Sequence, residues 1–243
     1  MEPNIVSRKD WLAARTGLLA EERELTRLRD RIAEKRRALP WVKVEKAYIF
    51  QTADGPKSLA DLFEGRSQLF VQHFMLAPGG HICPGCAGMC DHVDAARRHF
   101  EHADLSFAAV SRAPFEEIER AKARMGWTFQ WVSCAGNGFN HDFGAAFTPE
   151  EIAQGKPLYN YGTTPYLAED LPATSIFAKD AKGNAFHTYS AYARGTEALF
   201  TPFNFLDLAP KGRNEAAGTM NWVRLHDEYD DGASTDACCG TAA

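Results

Sequence analysis

The residues best able to do chemistry in this 243-residue chain are its six cysteines, Cys83, Cys86, Cys90, Cys134, Cys238 and Cys239. Cys83-Pro84-Gly85-Cys86 is a C-x-x-C, a spacing that suits thiol–disulfide exchange or soft-metal ligation. It follows a strongly apolar strand-like run from Gln68 to Leu76 and stands where a helix would begin. On a helical turn, positions i and i+3 lie about 5–6 Å apart at Cβ, so a small adjustment reaches disulfide geometry. Cys83 then takes the N-cap, beside unbonded backbone N–H groups that favour a thiolate. Pro84 fits the first helical position, where its missing N–H costs nothing. This reading makes Cys83 the attacking thiol and Cys86 the thiol that resolves the mixed disulfide.

Cys90 keeps a second chemistry open. Cys83, Cys86 and Cys90, with His81 or His92 nearby, are candidate ligands for zinc, copper or an iron–sulfur cluster. A structural zinc site takes four ligands, and the chain has no second C-x-x-C. Cys90 lies one turn beyond Cys86, where a small buried residue is the ordinary occupant. Redox chemistry without a cofactor is therefore preferred over a non-catalytic metal- or ligand-binding module. A peroxidatic Pro-x-x-x-Thr/Ser-x-x-Cys is absent. Leu76 and Gly80 hold the two positions before Cys83, and Gly79 and Cys83 those before Cys86. Cys134 follows the strand-like Trp131-Val132-Ser133 and reads as packing. Adjacent Cα atoms, as in Cys238-Cys239, are about 3.8 Å apart, below the usual disulfide range; that pair reads as incidental.

The elements that must position these thiols alternate. Trp41–Val44 and Ala47–Phe50 are strand-like, and Ser58–Phe63 reads as a short helical turn closed by Gly65. Gln68–Leu76 reads as a central strand buried on both faces, followed by a helix from about Pro84 to His102. Leu105–Val110 is the next strand and Pro114–Met125 the next helix, an order that implies right-handed crossovers and a parallel core. Thr174–Phe177 and Ala185–Tyr189 flank Asp180-Ala-Lys-Gly183 as a hairpin. From Asp230 the chain is acidic, then small, and reads as a disordered tail over 230–243.

Other side chains carry weaker expectations. Trp127, Phe129, Trp131, Phe139, Phe143 and Phe147 could wall a pocket near the thiols, though core packing explains most of them. The loop Asn137–Asp142 is polar and aromatic enough to line a site. His73 reads as a satisfied core histidine, and His187 and Tyr189 reach the thiols only if the hairpin folds over them. Arg112 reads as a surface ion-pair partner rather than an anion anchor. No Walker loop, dinucleotide fingerprint or nucleophile elbow is present, which leaves nucleotide and flavin cofactors without support.

Residues 7–39 form the most regular segment. Ser7 can cap a helix with Asp10 as its reciprocal partner. Trp11, Leu18, Leu25, Ile32 and Leu39 then recur every seventh residue, with Leu28 in the same stripe. Thr16-Gly17 is a candidate break, and Pro40 ends the helix. Two placements fit: a helix lying across its own domain, or an arm packed on a second subunit. Residues 7–46 carry 12 basic and 7 acidic side chains, a local +5 against −10 for the remainder. A basic arm on an acidic body favours pairing, and a homodimer is expected. The domain plan is an arm over 1–40, a domain over 41–229 and the tail.

Composition bounds the rest. Apolar residues make up 45% and charged residues 24%, ordinary for a globular chain. The net charge of −5 is a poor footprint for nucleic-acid binding. No apolar stretch approaches the roughly 18 residues of a membrane span, and no signal peptide is visible at the start. Clustered cysteines in such a chain point to a cytoplasmic thiol protein.

The order of elements around Cys83 is similar to a thioredoxin fold: buried strand, C-x-x-C at a helix start, a βα unit, then a hairpin. More specifically, the sequence resembles the DUF899 family of bacterial thioredoxin-like proteins. The resemblance is carried by Leu39-Pro-Trp-Val-Lys-Val44, the 59–69 segment, His73-Phe-Met75 and Cys83-Pro-Gly-Cys86. It continues through Ser111-Arg-Ala-Pro114, the 124–129 segment, Phe139-Asn-His-Asp-Phe143, His187-Thr-Tyr-Ser190 and Pro210-Lys-Gly-Arg213. It runs from about Ser7 to Tyr229. Departures are Cys134 in place of a second Ser, His141 in place of Tyr, and the Cys-Cys tail. The resemblance implies a thioredoxin-like α/β domain, a central mixed sheet flanked by helices, behind an N-terminal helical arm. It also implies a cis-proline facing the thiols, for which Pro172 is the matching position. The expected activity is thiol–disulfide oxidoreduction, or reduction of a small oxidised substrate, with Pro172, Pro84 and His81 on the substrate face. The partner is then a small-molecule or protein disulfide, with no nucleic acid or membrane.

Overall fold

The computed structural model describes residues 3–155, 158–163 and 168–229. The chain divides into two compact units, one ending at Pro40 and one beginning at Trp41. The expected tail, with Cys238 and Cys239, lies outside the described residues.

The first unit is one helix, α1 (Arg8–Arg37). The Ser7 hydroxyl accepts the Asp10 N–H at 3.2 Å, which is the expected cap. The helix runs through Thr16-Gly17 without a break. Thr16 Oγ1 donates to the Leu12 carbonyl at 2.7 Å, the i−4 back-bond by which a hydroxyl residue is accommodated inside a helix.

The second unit is built on a six-stranded sheet. Its elements in chain order are β1 (Val42–Lys43), β2 (Ile49–Phe50), β3 (Lys57–Ser58), β4 (Gln68–His73), α2 (Pro84–Cys90), α3 (Val93–His102) and β5 (Leu105–Ser111). They continue with α4 (Phe115–Met125), β6 (Gln130–Ser133), α5 (Phe139–Asp142), α6 (Pro149–Ala153), β7 (Ala173–Lys179), β8 (Ala185–Tyr192) and α7 (Thr201–Leu206). The sheet order is β1-β8-β7-β4-β5-β6, and β2 and β3 form a separate two-stranded ribbon. Strands β4, β5 and β6 are parallel and joined by helical crossovers. The β7–β8 hairpin adds antiparallel to β4, with His73 opposite Ala173. A parallel βαβαβ core completed by an antiparallel hairpin is the thioredoxin-like fold. The long helix expected over 84–102 is divided into α2 and α3 at Asp91-His92. The segment expected as a helical turn at 58–63 contains a 3₁₀ turn at Asp61–Phe63.

Alternation along the parallel strands sorts the core. Phe70, Phe74, Phe107, Ala109 and Trp131 face the cluster that holds Cys83, Cys86 and Cys90. Leu69, Val71, Ala108, Val110 and Val132 face the opposite cluster, with Phe139 and Cys134.

Candidate active site

Cys83 has extended backbone and caps α2, and its Sγ accepts the Cys86 N–H at 3.4 Å. Pro84 occupies the first turn as expected. Because α2 has only seven residues, its dipole is small. The direct local contact on the sulfur is the Cys86 N–H. Cys83 and Cys86 are both buried thiols, with 4% and 1% of their surfaces exposed. Burial raises the Cys90 thiol well above its ordinary pKa, and neighbouring Cys86, Asp91 and Asp94 add to the shift. Cys90 therefore stays protonated and packs as an apolar residue.

A segment that sequence reasoning gave no role lies over this helix. A Cβ on Gly88 would sit 2.3 Å from Phe200 Cε2, and one on Gly85 would sit 3.3 Å from Met220 Cε and 3.9 Å from Cys83 Sγ. Phe200, Phe203 and Val223 form a small core with Met89, Met220 and Trp222, and Leu225 joins the thiol cluster. The segment is pinned at its end. His226 Nδ1 lies 2.7 Å from Asp91 Oδ1, and Arg124 reaches Asp227 at 2.8 and 3.0 Å and Glu228 at 2.8 Å. The only advance signal was the aromatic and methionine content of residues 200–223.

Several expectations are corrected. Among the described residues no group of three or more His, Cys, Asp or Glu is arranged to hold a metal ion. Cys90 is turned into apolar packing instead, and His81 is exposed. No cis peptide bond occurs among the described residues, so the bond before Pro172 is trans. Both sides of that bond are held: the Leu171 N–H donates to Ala145 O at 3.0 Å and Tyr159 Oη donates to Pro172 O at 2.6 Å. Trp127, Phe129 and Trp131 do lie on the thiol side, but Phe139 and Phe143 lie on the other face and Phe147 in a third cluster. The hairpin does not fold His187 over the thiols; its ring packs against Phe143 and Phe177.

The 137–142 loop does reach a polar centre, on that opposite face. His73 Nδ1 lies 2.9 Å from Asn140 Oδ1, and its Nε2 2.9 Å from Ser175 Oγ. Ser175 Oγ meets Ser190 Oγ at 2.8 Å, and Ser190 meets His187 Nε2 at 2.7 Å. Since Asn140 Oδ1 can only accept, the His73 Nδ1 carries the proton and Ser175 donates to Nε2. Burial lowers the His73 pKa to about 4. His73 is thus a satisfied core histidine, as its sequence context indicated. Arg112 is likewise a pairing residue, 2.7 and 2.9 Å from the Asp170 carboxylate.

Three solved structures resemble the chain at low identity. Peroxidoxin BcpB from Mycobacterium tuberculosis shares 13% identity, with 67% of this chain and 93% of that chain covered and a TM-score of 0.46. Xanthomonas campestris peroxiredoxin Q shares 14%, covering 66% and 96%, with a TM-score of 0.41. The mitochondrial 2-cys peroxiredoxin from Plasmodium falciparum shares 13%, covering 69% and 94%, with a TM-score of 0.42. No curated protein matches the chain. Residues 1–229 match the model of the family described as bacterial protein of unknown function (DUF899), and the chain belongs to that family.

Proposed function

We propose that this protein is a thiol–disulfide oxidoreductase in which Cys83 attacks and Cys86 resolves. The observation that carries the reading is the Cys86 N–H held on Cys83 Sγ at the start of a helix that follows the central strand. The Cys83 thiolate attacks one sulfur of a substrate disulfide, forming a mixed disulfide and releasing the other half as a thiolate. Cys86 then attacks Cys83 Sγ, forming the Cys83–Cys86 disulfide and releasing the second substrate thiol. Two electrons pass from the dithiol to the substrate, and an external dithiol restores the starting state. Since only 4% of Cys83 is exposed, residues 200–225 must shift for a protein or small-molecule disulfide to enter. A reducing cytoplasm is the compartment that suits this cycle.

The test is turnover of insulin or a small disulfide with dithiothreitol as electron source. Cys83→Ser is expected to lose at least a hundredfold. Cys86→Ser is expected to accumulate a mixed disulfide on Cys83, visible by mass. Equal rates in wild type and Cys83→Ser would remove the assignment.

A further inference from the structure

Helix α1 is 30 residues long and contains no buried residue. Its apolar row, Trp11, Leu18, Leu25, Leu28 and Ile32, stands 38–52% exposed along one side. Helices of this kind draw most of their stability from covering such a face. The repeat identifies what covers it. Trp11, Leu18, Leu25 and Ile32 are spaced by seven, whereas a straight helix turns once in 3.6 residues, so the row drifts about 20° per heptad. Across three heptads it wanders by roughly 60°. A flat surface would lose contact with such a row, but a second helix can follow it by supercoiling.

Charge placement selects the partner and its direction. Glu21 and Glu24 precede Leu25, while Arg31 and Lys35 follow Leu28. A parallel, in-register pair would set Glu21 beside Glu21 and Lys35 beside Lys35. An antiparallel pair centred between Leu25 and Leu28 sets each Leu25 against the partner's Leu28 and brings each acidic block to the partner's basic block. In that register Arg15 approaches the partner's Arg36, but Arg15 already holds Glu22 at 2.7 Å.

We propose that α1 is a self-association surface that pairs antiparallel with the α1 of a second copy of this chain. The pairing is independent of the thiol chemistry. It is tested on the full chain carrying Cys238→Ser and Cys239→Ser, by sedimentation and by disulfide trapping. The parent is expected to sediment as a dimer and Leu25→Glu as a monomer. Glu21→Lys with Glu24→Lys should weaken association at least tenfold, and adding Arg31→Glu and Lys35→Glu should restore it, which a variant that merely misfolds would not do. Leu18→Cys mixed with Lys35→Cys should cross-link across copies. Two Leu18→Cys chains should not, because antiparallel pairing separates those positions by about 25 Å along the helix. A monomeric parent at 100 µM, a dimeric Leu25→Glu, failed rescue by the second charge pair, or preferential Leu18–Leu18 cross-linking would each overturn the proposal.

Discussion

His73 and Phe74 are neighbours at the end of β4, yet they look into different chemistries. On the Phe74 side lie Cys83, Cys86 and Cys90; on the His73 side lie Cys134 and a buried hydrogen-bonded chain. Cys83 and Cys134 are almost equally buried, at 4% and 3% exposure. Burial pushes the Cys134 thiol up to about 12, which leaves it inert near neutrality. Cys83 is distinguished by where it sits: the cap of a helix, with a second thiol one turn away. Cys134 also has backbone N–H groups on its sulfur, but burial outweighs them. The helix cap and the second thiol one turn away are what single out Cys83 for the proposed chemistry.

Each face can be perturbed without the other, and the largest effect is expected on the polar side. The His73 pKa is about 4 in the folded protein against about 6.5 when unfolded. Between those values the unfolded chain binds more protons, so stability falls as pH drops from about 6.5 to 4, by about 3 kcal/mol. Urea unfolding across this window should show the loss, and His73→Phe should flatten it. An unchanged slope in His73→Phe would assign the acid sensitivity elsewhere. Next, Asn140→Ala removes the acceptor of the buried His73 Nδ1–H and should cost about 2 kcal/mol at pH 7, with Cys83 chemistry intact. A loss of turnover beyond twofold in the folded variant would mean the two faces are coupled.

On the thiol side, Gly88→Ala forces a methyl into the Phe200 ring and should cost about 1–3 kcal/mol even after the helix-propensity gain. Loosened packing of residues 200–225 should also raise the rate at which Cys83 is alkylated in the folded state. Gly85→Ala crowds only the flexible end of Met220, reaches ordinary van der Waals distance from Cys83 Sγ, and should change stability by less than about 1 kcal/mol. If Gly85→Ala proves the more damaging, the 200–225 segment does not lie on α2 as described.

The thiol side was legible because its signals are local. A cap, a proline at the first helical position and a strand-to-helix junction all lie within Gln68–Cys90, and the capping geometry follows from residue type. The polar side was less so, because its partners are 67 and 102 residues from His73: the β4–β7 pairing brings in Ser175, and α5 brings in Asn140. The polar Asn137–Asp142 loop and the histidine in a buried strand were the hints, and neither names the other as its partner. The covering role of residues 200–225 escaped for the same reason: Phe200 and Met220 show no periodicity that names α2 as their neighbour. Pro172 was matched by its place before the hairpin, but the Tyr159 and Ala145 contacts around it lie in no short window.

The proposed role of Cys83 rests on its surroundings rather than its depth. Time-resolved alkylation of the native protein by iodoacetamide at pH 7, with each cysteine followed by peptide mass mapping, tests it most directly. Cys83 is expected to be modified at least tenfold faster than Cys90 or Cys134. Modification of Cys134 or Cys90 as fast as Cys83, in protein that remains folded, would contradict it.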